Sequence, residues 1–152
     1  MHNKINFVNS LTFQLEAAVR IFYGYSRESF AKSMKDKITL EEYAVLDTLV
    51  FYPHLNKNTL AKTLIRDEVF IAKVLNKLIK KKFIKEVKNN PNDIQVKYYE
   101  LTKTGEKIYE DAMFASIESL RILLKFISEN ELLAFTKTLL KIRNLTISLQ
   151  SQ

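Results

Sequence analysis

The chain has 152 residues, of which 47% are hydrophobic, and its 24 Lys and Arg residues exceed its 17 Asp and Glu residues by seven. This length fits one domain with a hydrophobic core, and the lack of cysteine excludes disulfides and thiolate metal sites. Charges interrupt the longest apolar stretches, so we expect no membrane-spanning segment. No targeting segment is visible either, and we expect a cytoplasmic protein.

Apolar residues recur at helical spacing over residues 7–33 and predict a first long helix. The stripe consists of Phe7, Leu11, Leu15, Ala18, Val19 and Phe22. It could pack in the core or form a subunit interface, because a helix this long exceeds what one small domain needs. Gly24 within this helix indicates a bend or a close helix contact.

The central region, residues 38–101, predicts three helices followed by a β-hairpin. Thr39 and Glu42 have the spacing of a capping box, and this second helix should end before Pro53. A short third helix is predicted from Thr59 to Leu64. Asp67 should cap a fourth helix to about Lys82, with a buried stripe of Ile71, Val74, Leu75 and Leu78. The β-branched and aromatic residues of 83–87 and 96–101 predict two strands around a polar turn.

Residues 102–150 predict two further helices. Thr102 can cap the first of them, which should run to about Ser128, with Gly105 in its first turn. Ser128 and Glu131 form a second capping box before the last helix. Because this pair is apolar on more than one face, we expect another chain to cover part of it. The predicted fold is mainly α with a small β-hairpin wing.

Positive charge is concentrated between Lys57 and Lys88, where ten Lys or Arg residues face three acidic residues. The rest of the chain has 24 − 10 = 14 basic and 17 − 3 = 14 acidic residues. A charge excess confined to one compact motif is typical of a nucleic-acid interface. The alternative is a solvated basic face on an α+β domain.

A helix-turn-helix places its second helix in the major groove, and a wing can reach an adjacent minor groove. Helices three and four with the hairpin fit this plan for double-stranded DNA. A helix start also offers backbone N–H groups to a phosphate, and asparagine can bind a base edge. The candidate DNA-binding residues are Lys57, Asn58, Thr59, Glu68, Lys73, Asn76, Lys77, Lys80, Lys88, Asn90, Asn92, Gln95 and Lys97.

The chain resembles the MarR family of bacterial winged-helix regulators in an ordered set of segments. These are 38–46 at the second helix, 59–64 in the third, 77–84 at the end of the fourth, 92–93 in the wing and 101–105 after it. The resemblance implies an obligate homodimer, paired through the first and last helices, on a pseudo-palindromic operator. We expect a transcriptional regulator that acts as a repressor. It also implies a cleft for a small-molecule effector between the dimerisation helices (7–33 and 102–150) and the winged domain (38–101). The candidate dimerisation residues are Phe7, Leu11, Leu15, Leu132, Leu139, Leu140 and Leu145.

One residue and two short segments depart from the family pattern. Lys82 replaces the usual glycine before the wing, residues 68–72 replace a Ser/Thr-rich helix start, and residues 93–95 lack the minor-groove arginine. Lys97 could substitute for it, without the planar fork of arginine. These departures leave open an alternative, a module for protein interaction or nonspecific DNA binding similar to the staphylococcal SarA-like winged-helix proteins.

Enzymatic chemistry has little support in the sequence. The two histidines, His2 and His54, lie in terminal or loop positions without partners at the spacing of a zinc site or a nucleophile–base pair. Adjacent acids such as Glu41 and Glu42 point to different faces of a helix. We therefore predict no catalytic residues, no metal and no cofactor.

Overall fold

The computed structural model describes residues 6–88 and 96–150, and these residues are mainly helical with a small antiparallel sheet, as predicted. The helices are α1 (Leu11–Met34), α2 (Leu40–Phe51), α3 (Lys57–Leu64), α4 (Glu68–Lys80), α5 (Lys103–Ser116), α6 (Glu118–Leu123) and α7 (Glu129–Gln150). The strands are β1 (Leu55–Asn56), β2 (Ile84–Val87) and β3 (Tyr98–Leu101). The chain divides into one compact unit that ends at Glu118 and a second that begins at Ser119.

Short polar side chains determine where the helices of the first unit begin. Ser10, Thr39, Asn56, Asp67 and Thr102 each accept a hydrogen bond from the backbone N–H three residues later. Each bond satisfies a donor that the helix itself leaves unpaired. The capping box of Thr39 and Glu42 is confirmed. Because the cap of α3 is Asn56, that helix begins at Lys57 rather than at the predicted Thr59.

The first predicted helix is divided near its start. Phe7–Asn9 form a 3-10 turn, and α1 begins only after the cap Ser10. The buried residues of α1 are Ser26, Phe30 and Met34 in its C-terminal half. The N-terminal stripe is largely exposed, with Phe7 at 66% and Leu11 at 78% of full exposure. Core packing within the chain therefore does not account for that stripe.

The core of the first unit forms where α2 and α4 pack with α1, α3, α5 and the sheet. The predicted stripe of α4 is confirmed, because Ile71, Val74, Leu75 and Leu78 are all buried. Apolar burial on this scale is the main stabilising contribution in a small domain. The face of α4 opposite to this stripe is consequently left in solvent.

A polar network joins α2 to α5 beside this core. The Tyr43 and Tyr109 rings stack 5.8 Å apart, and both hydroxyls donate to Asp47. Burial, followed by the hydrogen bond to Asp47, raises the pKa of Tyr109 to about 12. The raised pKa extends to higher pH the range over which the Tyr109 hydroxyl stays protonated and can donate in this network.

Helix α4 ends at Lys80, two residues before the predicted end. The N–H of Phe83 donates to the carbonyl of Leu78, and the N–H of Lys82 donates to that of Ile79. These two bonds form a Schellman motif, in which Lys82 takes the left-handed position with φ 59°. Lys82, which replaces the glycine usual in the family at this point, thus adopts the left-handed conformation that glycine favours.

The hairpin is confirmed, with strands shorter than predicted. β2 and β3 are antiparallel, with Ile84 opposite Leu101 and Val87 opposite Tyr98. The two-residue strand β1, which was not predicted, pairs with the other edge of β3. Its residues are too few to show a strand pattern in the sequence, and their pairing with residues 98–99 is decided by tertiary packing.

Helix α5 begins against the start of the hairpin. The Thr102 hydroxyl donates to the carbonyl of Lys82 at 2.6 Å, and the Thr102 N–H donates to that of Phe83 at 3.0 Å. A Cβ built on Gly105 would lie 1.9 Å from the Phe83 carbonyl oxygen. Glycine is therefore required in the first turn of α5 by a close backbone approach.

The helix predicted from Thr102 to about Ser128 is in fact two helices, so that prediction was wrong. α5 ends at Ser116, whose hydroxyl donates to the Met113 carbonyl, and Ile117 lies outside both helices. This side-chain bond competes with the helical bonding pattern.

In the second unit, the capping box of Ser128 and Glu131 is confirmed and precedes α7. The hydrogen bonds from Ser128 lower the pKa of the Glu131 carboxyl. Within the described ranges, no helix has the length and apolar character needed to cross a membrane.

Candidate nucleic-acid interface

The solvent face of α4 carries a stripe opposite to its buried side. Val69, Lys73, Asn76 and Lys80 recur at intervals of four, three and four residues, which places them on one side of a helix. All four are exposed. Glu68 and Lys77, also exposed, lie on the two flanks of this stripe. The α4 residues predicted to bind DNA are thus brought together on one accessible surface.

The first turn of α3 contains Lys57, Asn58 and Thr59. Two of the groups expected to contact phosphate, the Lys57 ammonium and the Thr59 N–H, already have partners within the chain. The Lys57 ammonium lies 3.0 Å from the Glu68 carboxylate. The Thr59 N–H donates to the Asn56 side chain at 2.9 Å. The expectation of free N–H groups at this start therefore does not hold for Thr59. The ion pair instead connects the start of α3 to the start of α4.

The wing positions are only partly described. Lys88 is exposed directly after β2, and Lys97 precedes β3 with its ammonium 3.0 Å from the Glu86 carboxylate. The hydrogen bond with Glu86 raises the pKa of Lys97. A cavity of about 330 Å³ separates Lys97 from the start of α3. The candidates Asn90, Asn92 and Gln95 lie outside the described residues.

Part of the basic cluster supports the fold itself. Lys81 pairs with Glu42 at 2.7 Å, and Glu42 is only 1% exposed. Lys81 also donates to the carbonyl of Lys37, so it connects the end of α4 to the start of α2. Lys85 lies 3.2 Å from Glu100. In contrast, Lys73, Lys77 and Lys80 have no ion-pair partner in the described part of the chain.

A second feature of this unit is a cavity of about 350 Å³ between α1, α2 and the helix-turn-helix. The Arg27 guanidinium lies 2.9 Å from the Glu41 carboxylate at its wall. The Arg66 guanidinium lies 5.5 Å from the centre of the Phe70 ring. Burial and the neighbouring carboxylate of Glu41 raise the pKa of Tyr23. The lining of the cavity thus combines cationic groups, including Lys77, with aromatic rings and the carboxylates of Glu41 and Glu42.

Sequence reasoning missed two residues of this region. Val69 is the first residue of the exposed α4 stripe, and counting 100° per residue from the buried stripe would have placed it there. Lys81 was counted with the interface charge although it pairs with a buried carboxylate. No local signal identifies that pair, because 39 residues separate Lys81 from Glu42.

No protein-family model matches the sequence, and no curated protein is significantly similar to it. Solved structures do resemble it. A mutant MarR from E. coli complexed with operator DNA has a TM-score of 0.77 at 19% identity, over 90% of this chain and 98% of that one. The PcaV transcriptional regulator from Streptomyces coelicolor, in complex with its natural ligand, has a TM-score of 0.77 at 19% identity, over 89% and 95%.

The organohalide-sensing RdhR transcriptional regulator in its 2,4-dichlorophenol-bound form has a TM-score of 0.81 at 18% identity. This likeness covers 98% of the present chain and 90% of RdhR. At such identities the similarity is one of fold, and in these three structures it covers 89–98% of the present chain. The chain therefore has the winged helix-turn-helix fold of the MarR family of transcription regulators.

Proposed function

We propose that this chain is a transcriptional regulator that binds double-stranded DNA as a homodimer and represses transcription from a pseudo-palindromic operator. The observation that carries the proposal is the exposed lysine-bearing stripe of α4, whose opposite face is completely buried. Each subunit would place α4 in the major groove, with half-sites about one helical turn apart. The operator bound by the structurally similar E. coli MarR mutant supports the same mode.

The charge distribution supports this mode of binding. Lys73, Lys77 and Lys80 project from the same side of α4, and Lys88 adds charge at the wing. Such groups neutralise phosphates and release counterions, so affinity should fall steeply with salt concentration. About four lysines per subunit predict a slope near −7 for log K against log salt, at roughly −0.9 per phosphate.

Dimerisation is proposed from the apolar residues that the chain leaves in solvent. Phe7 and Leu11 near the start, and Leu140 and Leu145 in α7, are 43–78% exposed. Leu15, Leu132 and Leu139 are half-buried. Exposed apolar groups in this number favour a protein partner, and a second copy would cover them symmetrically.

A small-molecule effector would fit the cavity beside α4. Arg27 is paired with Glu41, but Arg66 and Lys77 suit an anionic group, and Tyr23 and Phe70 suit an aromatic ring. Because Phe70 and Lys77 belong to α4, a ligand there would act directly on the DNA-binding helix. The natural ligand bound by PcaV and the 2,4-dichlorophenol bound by RdhR support a small-molecule effector for this chain.

The test measures binding of the purified protein to its own upstream region and to random duplex DNA over a series of salt concentrations. The dimer should prefer its own region by orders of magnitude, with a slope near the value above. Lys73→Ala combined with Lys77→Ala should weaken binding at least tenfold without unfolding the protein. Repeating the binding assay in the presence of 2,4-dichlorophenol tests the proposed effector site. An aromatic effector should release the protein from DNA.

The matched control is Lys103→Ala combined with Lys107→Ala. This pair removes the same charge from two exposed lysines four residues apart on α5, and it should bind like the wild type. A salt slope shallower than about −2, or full retention by the α4 variant, contradicts the proposal. Equal competition by random DNA favours the alternative, a nonspecific or protein-interaction module.

A further inference from the structure

We propose that Val69 is a specificity-determining residue that packs against the 5-methyl group of a thymine in the major groove. This inference rests on the proposed function and adds the base that the start of α4 recognises. The start of α4 would then take part in recognising the DNA sequence, although it carries an apolar residue instead of a polar one.

The first observation is the position of Val69. It is 66% exposed and belongs neither to the core nor to the residues packed against it. It lies in the first turn of α4, on the side opposite to the buried stripe and one turn before Lys73. Recognition helices contact base edges chiefly through their N-terminal residues, so Val69 occupies the position that reaches deepest into a groove.

The second observation concerns the cost of valine at this site. An exposed valine has a lower helix propensity than alanine, and here it adds no buried area within the chain. Its two methyl groups become useful if an apolar group faces them. In the major groove thymine alone among the four bases presents a methyl group, and an apolar side chain favours it over the other bases.

The surroundings of Val69 suit close approach to DNA. The neighbouring Glu68 carboxylate would repel phosphates, but the Lys57 ammonium lies 3.0 Å from it and compensates its charge. Lys73 and Asn76 follow on the same stripe. At 1.5 Å per residue, Asn76 lies about 10 Å further along the helix, the rise of roughly three base pairs. Asparagine there can bind adenine through its amide.

The experiment begins with selection of duplexes from a random pool by the wild-type protein. A selected duplex is then synthesised with thymine or with uracil at single half-site positions, which changes nothing but the methyl group. Dissociation constants are measured for the wild type, Val69→Ala and the control Val50→Ala. Val50 is a half-exposed valine of α2, so the control removes the same atoms away from α4.

At one thymine position, replacement by uracil in both half-sites should weaken binding of the wild-type dimer about tenfold. Each buried methyl contributes roughly threefold to fivefold, and the dimer contacts two of them. Val69→Ala should bind the thymine duplex about tenfold more weakly and lose little more on uracil. Val50→Ala should discriminate like the wild type.

Undiminished thymine preference in Val69→Ala, or no thymine preference in the wild type, overturns the assignment while leaving DNA binding intact. Failure of the pool to yield any enriched duplex overturns the proposed function, and this inference with it. The two failures are therefore distinguishable. Because alanine favours the helix, Val69→Ala should remain folded, which circular dichroism verifies.

Discussion

Three helices of the first unit end with a non-glycine residue in the left-handed conformation. Lys35, Ile65 and Lys82 have φ values of 49°, 52° and 59° after α1, α3 and α4. Glycine usually occupies this position because it lacks the Cβ that causes strain there. The chain has two glycines, and neither is used at these ends. The strain is greatest for Ile65, because β-branched residues avoid positive φ.

At Ile65 we therefore expect glycine to stabilise the protein. Ile65 is 57% exposed, so little packing is lost, and relief of the left-handed strain is worth about 1 kcal/mol. Ile65→Ala is the matched control, because it removes the same exposed atoms and retains a Cβ. Urea unfolding should place Ile65→Gly about 1 kcal/mol above Ile65→Ala. Equal midpoints would show that the turn carries no strain.

At the scale of elements, the winged helix depends on a close contact between α5 and the segment that precedes β2. Thr102 bonds to the carbonyls of Lys82 and Phe83, and Gly105 allows the Phe83 carbonyl to approach. These contacts set the position at which the hairpin leaves α4. They consequently hold the wing in place beside the helix-turn-helix.

Gly105→Ala should disrupt this contact. The added methyl would meet backbone atoms that cannot rotate away, so we expect a loss of about 2–4 kcal/mol in the free energy of unfolding, as for other overpacked or strained sites. Gly24→Ala is the comparison, because a Cβ added there would meet no described atom within 4 Å beyond the backbone of α1 itself. That change should be neutral or stabilising by up to about 1 kcal/mol. Thermal unfolding of both variants measures the two changes in stability. Similar losses of stability would show that the contact with Phe83 is not the reason for glycine at position 105.

At the scale of the whole molecule, the excess charge and the large exposed apolar residues occur in different parts of the chain, which indicates two kinds of partner. The net charge of the chain is contained in residues 57–88, whereas large exposed apolar residues occur near the start of the chain and in α7. The charged residues suit a polyanion, and each of the two apolar sets suits another protein surface. A homodimer on DNA would satisfy both at once.

Leu11→Glu should weaken the proposed dimer. Leu11 is the first residue of α1 and 78% exposed, so glutamate is compatible with the helix start. Because each isologous interface contains the residue twice, the loss of two apolar contacts should weaken association about 100-fold or more. Phe51→Glu, at a residue 68% exposed on α2, should leave it unchanged. Sedimentation equilibrium measures both; a wild type that sediments as a 17.8 kDa monomer would end the dimer proposal.

The sequence by itself determined the features that depend on near neighbours along the chain. The capping residues Thr39 and Asp67, the buried stripe of α4 and the clustered lysines were all predicted. Helix caps and amphipathic faces are set by interactions over three or four residues, so a local pattern is enough to identify them.

Only the tertiary structure decided which charges remain available and where backbones meet. The pairing of Lys81 with buried Glu42, the pairing of Leu55 with Tyr99 and the approach of Phe83 to Gly105 join residues that are far apart in sequence. Such contacts depend on how whole helices pack. A carboxylate that this packing buries requires a partner, because an unpaired buried charge is strongly destabilising. Fewer lysines are therefore free of an ion-pair partner among the described residues than the count of basic residues indicated.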